Sequence, residues 1–104
     1  MKAISVEISR WIDDHQPGWV ECRLIDAEGR LQLFTEKAPV VTAESIGPKS
    51  SYPLSGAVAC EIQAEWVDAN GRSLLRVGTT HPDGVESTTG ESTFIVLSTQ
   101  IVDI

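Results

Sequence analysis

The sequence predicts an all-β protein, a small barrel or barrel-like sandwich of about six mostly antiparallel strands. Apolar and polar residues alternate with a period of two along most of the chain, which is typical of strands buried on one side. Turn-forming residues separate these stretches at short intervals. Because 104 residues bury only one core, we expect a single barrel-like domain, residues 1–104.

The strands can be assigned in chain order from this alternation. In the first, Ile4, Val6 and Ile8 alternate with polar residues, and the pattern runs to about Trp11. In the fourth, one face carries apolar residues from Val58 onwards, and Trp66 continues that series, so we expect Trp66 in the core. The six expected strands are residues 4–11, 19–26, 30–36, 57–68, 73–79 and 93–102.

Two connections share the pattern Asp-Ala-x-Gly-Arg, at residues 26–30 (the first hairpin tip) and 68–72 (the second hairpin tip). In each, the Asp side chain accepts the backbone N–H two residues on, and Gly supplies a positive φ. Tight hairpins converge on these residue types, which explains the repeat better than a duplication does. If the strands alternate in direction, both tips lie at one end of the domain.

The connection between the third and fourth strands is long and contains Pro39, Pro48 and Pro53. Residues 42–46 predict a single helical turn, with Thr42 as the N-cap and Gly47 at the end. The OB-fold has a short helix at this place, so an OB-like arrangement is one form of the expected barrel. That likeness of fold implies no function.

Several short motifs extend over most of the chain: Trp11-Ile12-Asp13-Asp14, Pro17-Gly18-Trp19-Val20, Glu36-Lys37-x-Pro39-Val40-Val41 and Pro82-x-Gly84-Val85-Glu86-Ser87. With the first hairpin tip, this set resembles a group of short bacterial proteins of unknown function. The resemblance implies a bacterial source and a freestanding single domain, and it implies no reaction and no catalytic residue.

The charge balance limits the classes of partner. Eight Lys and Arg stand against 15 Asp and Glu, for a net charge of −7, and a domain this acidic is not expected to bind nucleic acid. No apolar run has the length of a signal peptide or a membrane span, so we expect a cytoplasmic protein that binds no membrane. Cys22 and Cys60 are then expected to be reduced and buried, and we expect no cofactor.

Three aromatic residues fall out of phase with the core series of their strands: Trp11, Trp19 and Phe34. Either they form a second cluster under the long connection, or they form an exposed patch. Glu21 and other outward carboxylates would give such a patch an acidic rim. The sequence therefore predicts a non-catalytic binding module for a protein partner or a second copy of the chain.

An alternative rests on the other end of the domain, where strand direction is expected to collect Asp13, Asp14, His15, His81 and Asp83. These residue types bind divalent metals or act as general acids and bases. The alternative function is accordingly a metal-dependent or acid/base enzyme. Asp-Asp and His-Pro-Asp-Gly are also common turn sequences, and no motif of fixed catalytic spacing is present, so an enzyme is the less favoured prediction.

Overall fold

The computed structural model describes residues 1–104 and contains two antiparallel sheets. The elements are β1 (Lys2–Asp13), β2 (Trp19–Ile25), β3 (Leu31–Lys37), α1 (Ala38–Val41), β4 (Leu54–Ala59), β5 (Glu61–Val67), β6 (Ser73–Gly78), β7 (Thr93–Leu97), a 3₁₀ turn (Ser98–Gln100) and β8 (Ile101–Asp103). The first sheet has the order β3-β2-β1-β4, with β8 beside the start of β1, and the second has the order β5-β6-β7. The predicted all-β class is confirmed, as a barrel-like sandwich that does not close.

Two expected strands are each divided in the structure. Residues 57–68 were expected to form one strand, but the chain passes at Cys60 from β4 in the first sheet to β5 in the second. The Cys60 N–H donates to the Lys2 carbonyl at 3.0 Å, which keeps the crossing next to the start of β1. The last expected strand likewise divides into β7 and β8, on either side of the 3₁₀ turn. These divisions allow a short chain to build two sheets.

The core lies between the two sheets. Phe34 of β3 and Phe94 of β7 meet edge to face, with ring centres 5.5 Å apart, which is a favourable aromatic geometry. The edges of the sheets are joined near this pair by two backbone hydrogen bonds, from Ala27 N–H to the Ile95 carbonyl at 2.9 Å and from Thr88 N–H to the Leu33 carbonyl at 2.8 Å. The two sheets are therefore linked on the β3–β7 side through the connections that contain Ala27 and Thr88, without strand pairing.

The helical turn occurs in the expected connection but at different residues. It spans Ala38–Val41, and Thr42 ends it, so the prediction of a turn at residues 42–46 is wrong. Proline is tolerated in a first helical turn because that position needs no N–H donor, and Pro39 occupies it. Ala38 and Val41 are buried, so packing against the core selects this location. No helix in the structure has the length and apolar character needed to cross a membrane.

Both hairpin tips have the predicted turn chemistry. In the first, one carboxylate oxygen of Asp26 accepts the N–H groups of Glu28 and Arg30, each at 2.9 Å. Asp68 does the same in the second tip, with Asn70 and Arg72. The glycines at the two tips, Gly29 and Gly71, have φ values of +79° and +80°.

The two tips also lie together, as the strand directions predict. The Arg72 guanidinium of the second tip donates to the Ala27 carbonyl of the first at 3.0 Å. The first tip is the more buried of the two: the Asp26 side chain is 1% exposed, and the Asp68 side chain is 18% exposed. Burial opposes the charge on Asp26, but hydrogen bonds from Arg30, Gln32 and Glu28 outweigh it and hold the pKa of this carboxyl below its usual range.

Replacing Asp26 by alanine is expected to destabilise the fold by about 2–3 kcal/mol, because Gln32 and two backbone N–H groups lose their acceptor in a buried place. Asp68→Ala is the matched control. It removes the same turn contacts from an exposed tip, and its effect should be smaller. Urea unfolding of both variants measures the difference, and equal losses would contradict the role given to burial.

The pH dependence of stability should follow from the same carboxyl. Because its pKa is lowered in the folded state, Asp26 stabilises the fold above its ordinary pKa of 3.8, and that stabilisation is lost as the pH falls through the folded value. Asp26→Asn should therefore lose less stability than the wild type between pH 5 and pH 2. Denaturant midpoints across this range test the expectation, and parallel pH profiles would refute it.

Candidate binding surfaces

Phe34 does not belong to a surface patch. It is 0% exposed and lies in the core, opposite Cys22 of β2, so its predicted outward position is wrong. The cause is Gln32, a polar residue that occupies an inward position of β3 and is buried because its amide donates to Asp26 at 3.2 Å. With Gln32 inward, Phe34 is inward as well, and Leu31 is exposed.

Trp11 also faces inward, because β1 contains a bulge. Ser9 has no partner between the Ile8–Cys22 and Arg10–Glu21 pairs, and this extra residue reverses the phase at Arg10 and Trp11, before a second register shift at Ile12. Trp11 consequently lies opposite the buried Val20 and packs against the core. The expectation that Trp11 points outward is therefore wrong.

The Trp11 ring is fixed by the loop that follows β1. Its indole N–H donates to Asp14 at 2.7 Å, and the ring lies so close to Gly18 that any side chain there would collide with it. Gly18 also has a φ of +98°, which other residues rarely adopt. These contacts give Trp11 a structural role under the loop at residues 13–18.

Trp19 and Glu21 are on the outer face, as predicted, but each is already in contact with neighbouring side chains of this chain. Trp19 is half-buried, and the Lys37 ammonium lies 5.8 Å from its ring centre. Glu21 accepts hydrogen bonds from Arg10 at 3.2 Å and from Ser9 at 3.0 Å, and these bonds lower the pKa of its carboxyl. Glu21 thus stabilises the Ser9 bulge.

The candidate metal ligands are not assembled into a site. Asp13 accepts the backbone N–H of His15 at 2.8 Å, with the imidazole Nδ1 3.6 Å from the same oxygen, while Asp14 is bonded to Trp11. The side chains of His81 and Asp83 form no hydrogen bond or ion pair. No group of three or more His, Cys, Asp or Glu residues is placed to hold a metal ion. This geometry gives the metal-dependent form of the alternative no support, and the acid/base form stays a prediction.

Cys22 and Cys60 are free and buried. Burial raises the pKa of the Cys22 thiol to about 12, with smaller contributions from Glu36 and Glu21, and burial also raises the pKa of Cys60. A thiol with a pKa this high is protonated at neutral pH and is a poor nucleophile. Both cysteines therefore act as small core residues, as the sequence predicts.

Sequence reasoning missed the exposed aromatic residue of the structure, Trp66. Gln63 is an extra residue between the Ile62–Val77 and Ala64–Arg76 pairs, so β5 changes phase just as β1 does. Trp66 then lies on the outer face opposite Leu74 and is 38% exposed, so its predicted core position is wrong. The alternating pattern of residues 57–68 contains no sign of the bulge.

The strand that carries Trp66 is the least covered element of the fold. β5 is the outermost strand of the second sheet and pairs with β6 alone. All of its residues are exposed except the half-buried Ala64, and Val67 is 66% exposed. Two of its residues are glutamates, Glu61 and Glu65, and none is Lys or Arg. We call this strand and its unpaired backbone the β5 edge.

The backbone groups available at the β5 edge follow from the hairpin. Asp68 N–H donates to the Arg72 carbonyl, so these two residues form a hydrogen-bonded pair. Alternation along an antiparallel ladder then turns the N–H and C=O groups of Glu65 and Val67 away from β6. The β5 edge thus offers free donors and acceptors beside an exposed indole.

Comparison with known proteins identifies no relative. No protein-family model matches the chain, and no curated protein or solved structure is significantly similar to it.

The new positions of the aromatic residues lead to a prediction. Phe34→Ala should destabilise the protein by about 3–5 kcal/mol, whereas Trp66→Ala should change stability far less. Of the three single Trp→Phe variants, Trp66→Phe should remove the tryptophan emission that acrylamide quenches most readily, because Trp11 and Trp19 are less exposed. Chemical denaturation and quenching of the three single Trp→Phe variants test both statements. Equal quenching of all three indoles would refute the assignment.

Proposed function

We propose that the protein is a non-catalytic interaction module that binds an extended, basic segment of another protein as an added strand on the β5 edge. The observation that carries the proposal is the exposed outer strand itself, with an indole beside unpaired backbone groups. Strand addition to a free sheet edge is a common mode of peptide recognition, in which backbone hydrogen bonds supply affinity and side-chain contacts supply specificity.

Trp66 supplies the apolar contact of this surface. Its cross-strand neighbour is Leu74, which in turn lies opposite Leu97 of β7, so an apolar row crosses the outer face of the second sheet. Only the Trp66 end of that row is exposed, since Leu74 is buried and Leu97 is half-buried. A peptide strand beside β5 would extend the row and cover the indole, and aromatic residues are frequent anchors of interfaces.

The charge of the β5 edge determines which kind of partner strand it favours. Glu61 and Glu65 lie on the β5 edge without a basic neighbour on that strand, in a chain of net charge −7. A second copy would bring like charges together, whereas Lys or Arg residues of a partner would meet carboxylates. Glu65 also shares the face of the core residue Leu75, and inward charges at an edge discourage pairing between copies. A basic partner is therefore favoured over self-association.

Three other expectations stay predictions: the OB-like arrangement, the bacterial source implied by the resemblance, and a cytoplasmic location. They are compatible with the proposal, because strand addition requires none of them.

A peptide titration tests the proposal. The peptide KVKVKVK should bind and change the emission of Trp66, and EVEVEVE should not. Val67→Pro should weaken binding by about tenfold or more, because proline removes a backbone donor that faces the free edge. Edge strands tolerate proline at such a position, so the variant should remain folded, which circular dichroism checks.

Two controls distinguish binding by strand addition from binding by charge attraction alone. The peptide KVKPKVK keeps the charge of the first peptide but cannot form a regular strand, and Glu65→Lys changes the charge of the edge while keeping its backbone. Both changes should weaken binding. If Val67→Pro or KVKPKVK binds as tightly as the parent, the attraction is electrostatic only and the proposal is wrong. A wild-type dimer that Val67→Pro dissociates would instead identify a second copy as the occupant.

A further inference from the structure

A groove crosses the outer face of the first sheet, on the side of the molecule formed by β1, β2 and β4. Its volume is about 520 Å³, within the range of roughly 300–1,000 Å³ typical of small-molecule sites. Ser5 and Glu7 of β1, Arg23 and Ile25 of β2, Ser55 of β4 and Gln100 of the 3₁₀ turn are among its lining residues.

The groove exists because one edge of β1 is shared by two strands that do not meet. β8 pairs with β1 over Lys2–Ile4, and β2 pairs with it from Glu7 onwards, so Ser5 and Val6 have no partner on this edge. The Lys2 carbonyl faces the opposite edge, where it accepts the Cys60 N–H. By alternation, the N–H and C=O groups of Ser5 face the gap.

Gln100 lines the groove and is held in place by two hydrogen bonds. Its amide oxygen accepts the Leu97 N–H at 2.8 Å, and its amide nitrogen donates to the Ile25 carbonyl at 2.8 Å. The side chain therefore links the end of β7 to the end of β2 and lines the groove. Because both ends of its amide group are hydrogen-bonded, the Gln100 side chain forms a fixed wall of the groove.

Two opposite charges lie side by side on the sheet face that lines the groove, without forming an ion pair. Glu7 and Arg23 are cross-strand partners, yet their charged atoms are not within 4.0 Å. The nearby pairs Lys2–Asp103 and Arg10–Glu21 are closed, at 3.0 Å and 3.2 Å. Glu7 and Arg23 are therefore the carboxylate and the cation of this face that are free to meet a ligand.

We infer that this groove binds a small zwitterion with the head group of an α-amino acid and an apolar side chain. The ligand carboxylate meets the Arg23 guanidinium, whose planar donors suit a carboxylate, and the ligand ammonium meets Glu7. Ser5 offers backbone hydrogen bonds to the same head group. Ile25, which is 50% exposed, and Leu54 cover the apolar side chain.

The test is a titration of the intact protein with L-leucine, in which binding is observed through the backbone amide chemical shifts. Shifts confined to the groove, at Ser5, Glu7, Arg23 and Gln100, are expected. Two analogues dissect the head group: 4-methylpentanoate lacks the ammonium, and isoamylamine lacks the carboxylate. Each should bind about tenfold more weakly than leucine, as expected for the loss of one charge-assisted contact.

Charge-removing variants assign the two contacts separately. Arg23→Gln should weaken the binding of leucine and of 4-methylpentanoate alike, whereas Glu7→Gln should weaken leucine binding only, because 4-methylpentanoate has no ammonium to lose its partner and is no longer repelled by the Glu7 carboxylate. Arg76→Gln, an exposed change in the second sheet, is the matched control and should leave leucine binding intact. Shifts absent up to the solubility of leucine, spread over the surface, or unchanged in Arg23→Gln would overturn the inference. The β5 edge is not involved, so this outcome is independent of peptide binding.

Discussion

The fold depends on bulges that change the phase of two strands. β1 runs for 12 residues, and without the extra residue Ser9 its second half would turn Trp11 to solvent. β5 has the equivalent extra residue at Gln63, which turns Trp66 away from the core. One bulge therefore brings an indole inward and the other exposes one. The positions of these two indoles, one packed against the core and one on the surface, follow from the bulges at Ser9 and Gln63.

Polar side chains stabilise the bulge in β1 and the first hairpin tip. Glu21 binds the hydroxyl of Ser9 and the guanidinium of Arg10, the residues at and next to the β1 bulge. Asp26 and Gln32 form a buried polar pair at the first hairpin tip, and this pair sets the phase of β3 and thus the position of Phe34. Polar groups in this small domain determine which apolar residues reach the core.

Bulges and buried polar residues account for the difference between the features that the sequence predicts correctly and those that it does not. Alternation predicted the all-β class and most strands, and turn chemistry predicted both hairpin tips, because each depends on neighbouring residues alone. The predicted binding surface was wrong in Phe34 and Trp11, and the core assignment was wrong in Trp66. The errors at Trp11 and Trp66 follow from assuming an unbroken period of two, which bulges in β1 and β5 interrupt. The error at Phe34 follows from assigning the inward face of β3 to Leu31 and Leu33, whereas the buried Gln32 shows that the other face is inward. Trp19, in a strand that has no extra residue of its own, was placed correctly.

The two proposed binding places share one physical origin, which is incomplete strand pairing. The β5 edge lacks a second neighbour, and the groove lies where β8 and β2 leave part of β1 unpaired. Unpaired backbone groups attract any strand, so a domain that exposes them needs protection against its own copies. The acidic surface supplies that protection, because Glu61 and Glu65 repel a second β5 edge and attract a basic one. Under the proposed function, the net charge of −7 thus favours pairing with a different, basic protein at the place where the fold is least complete.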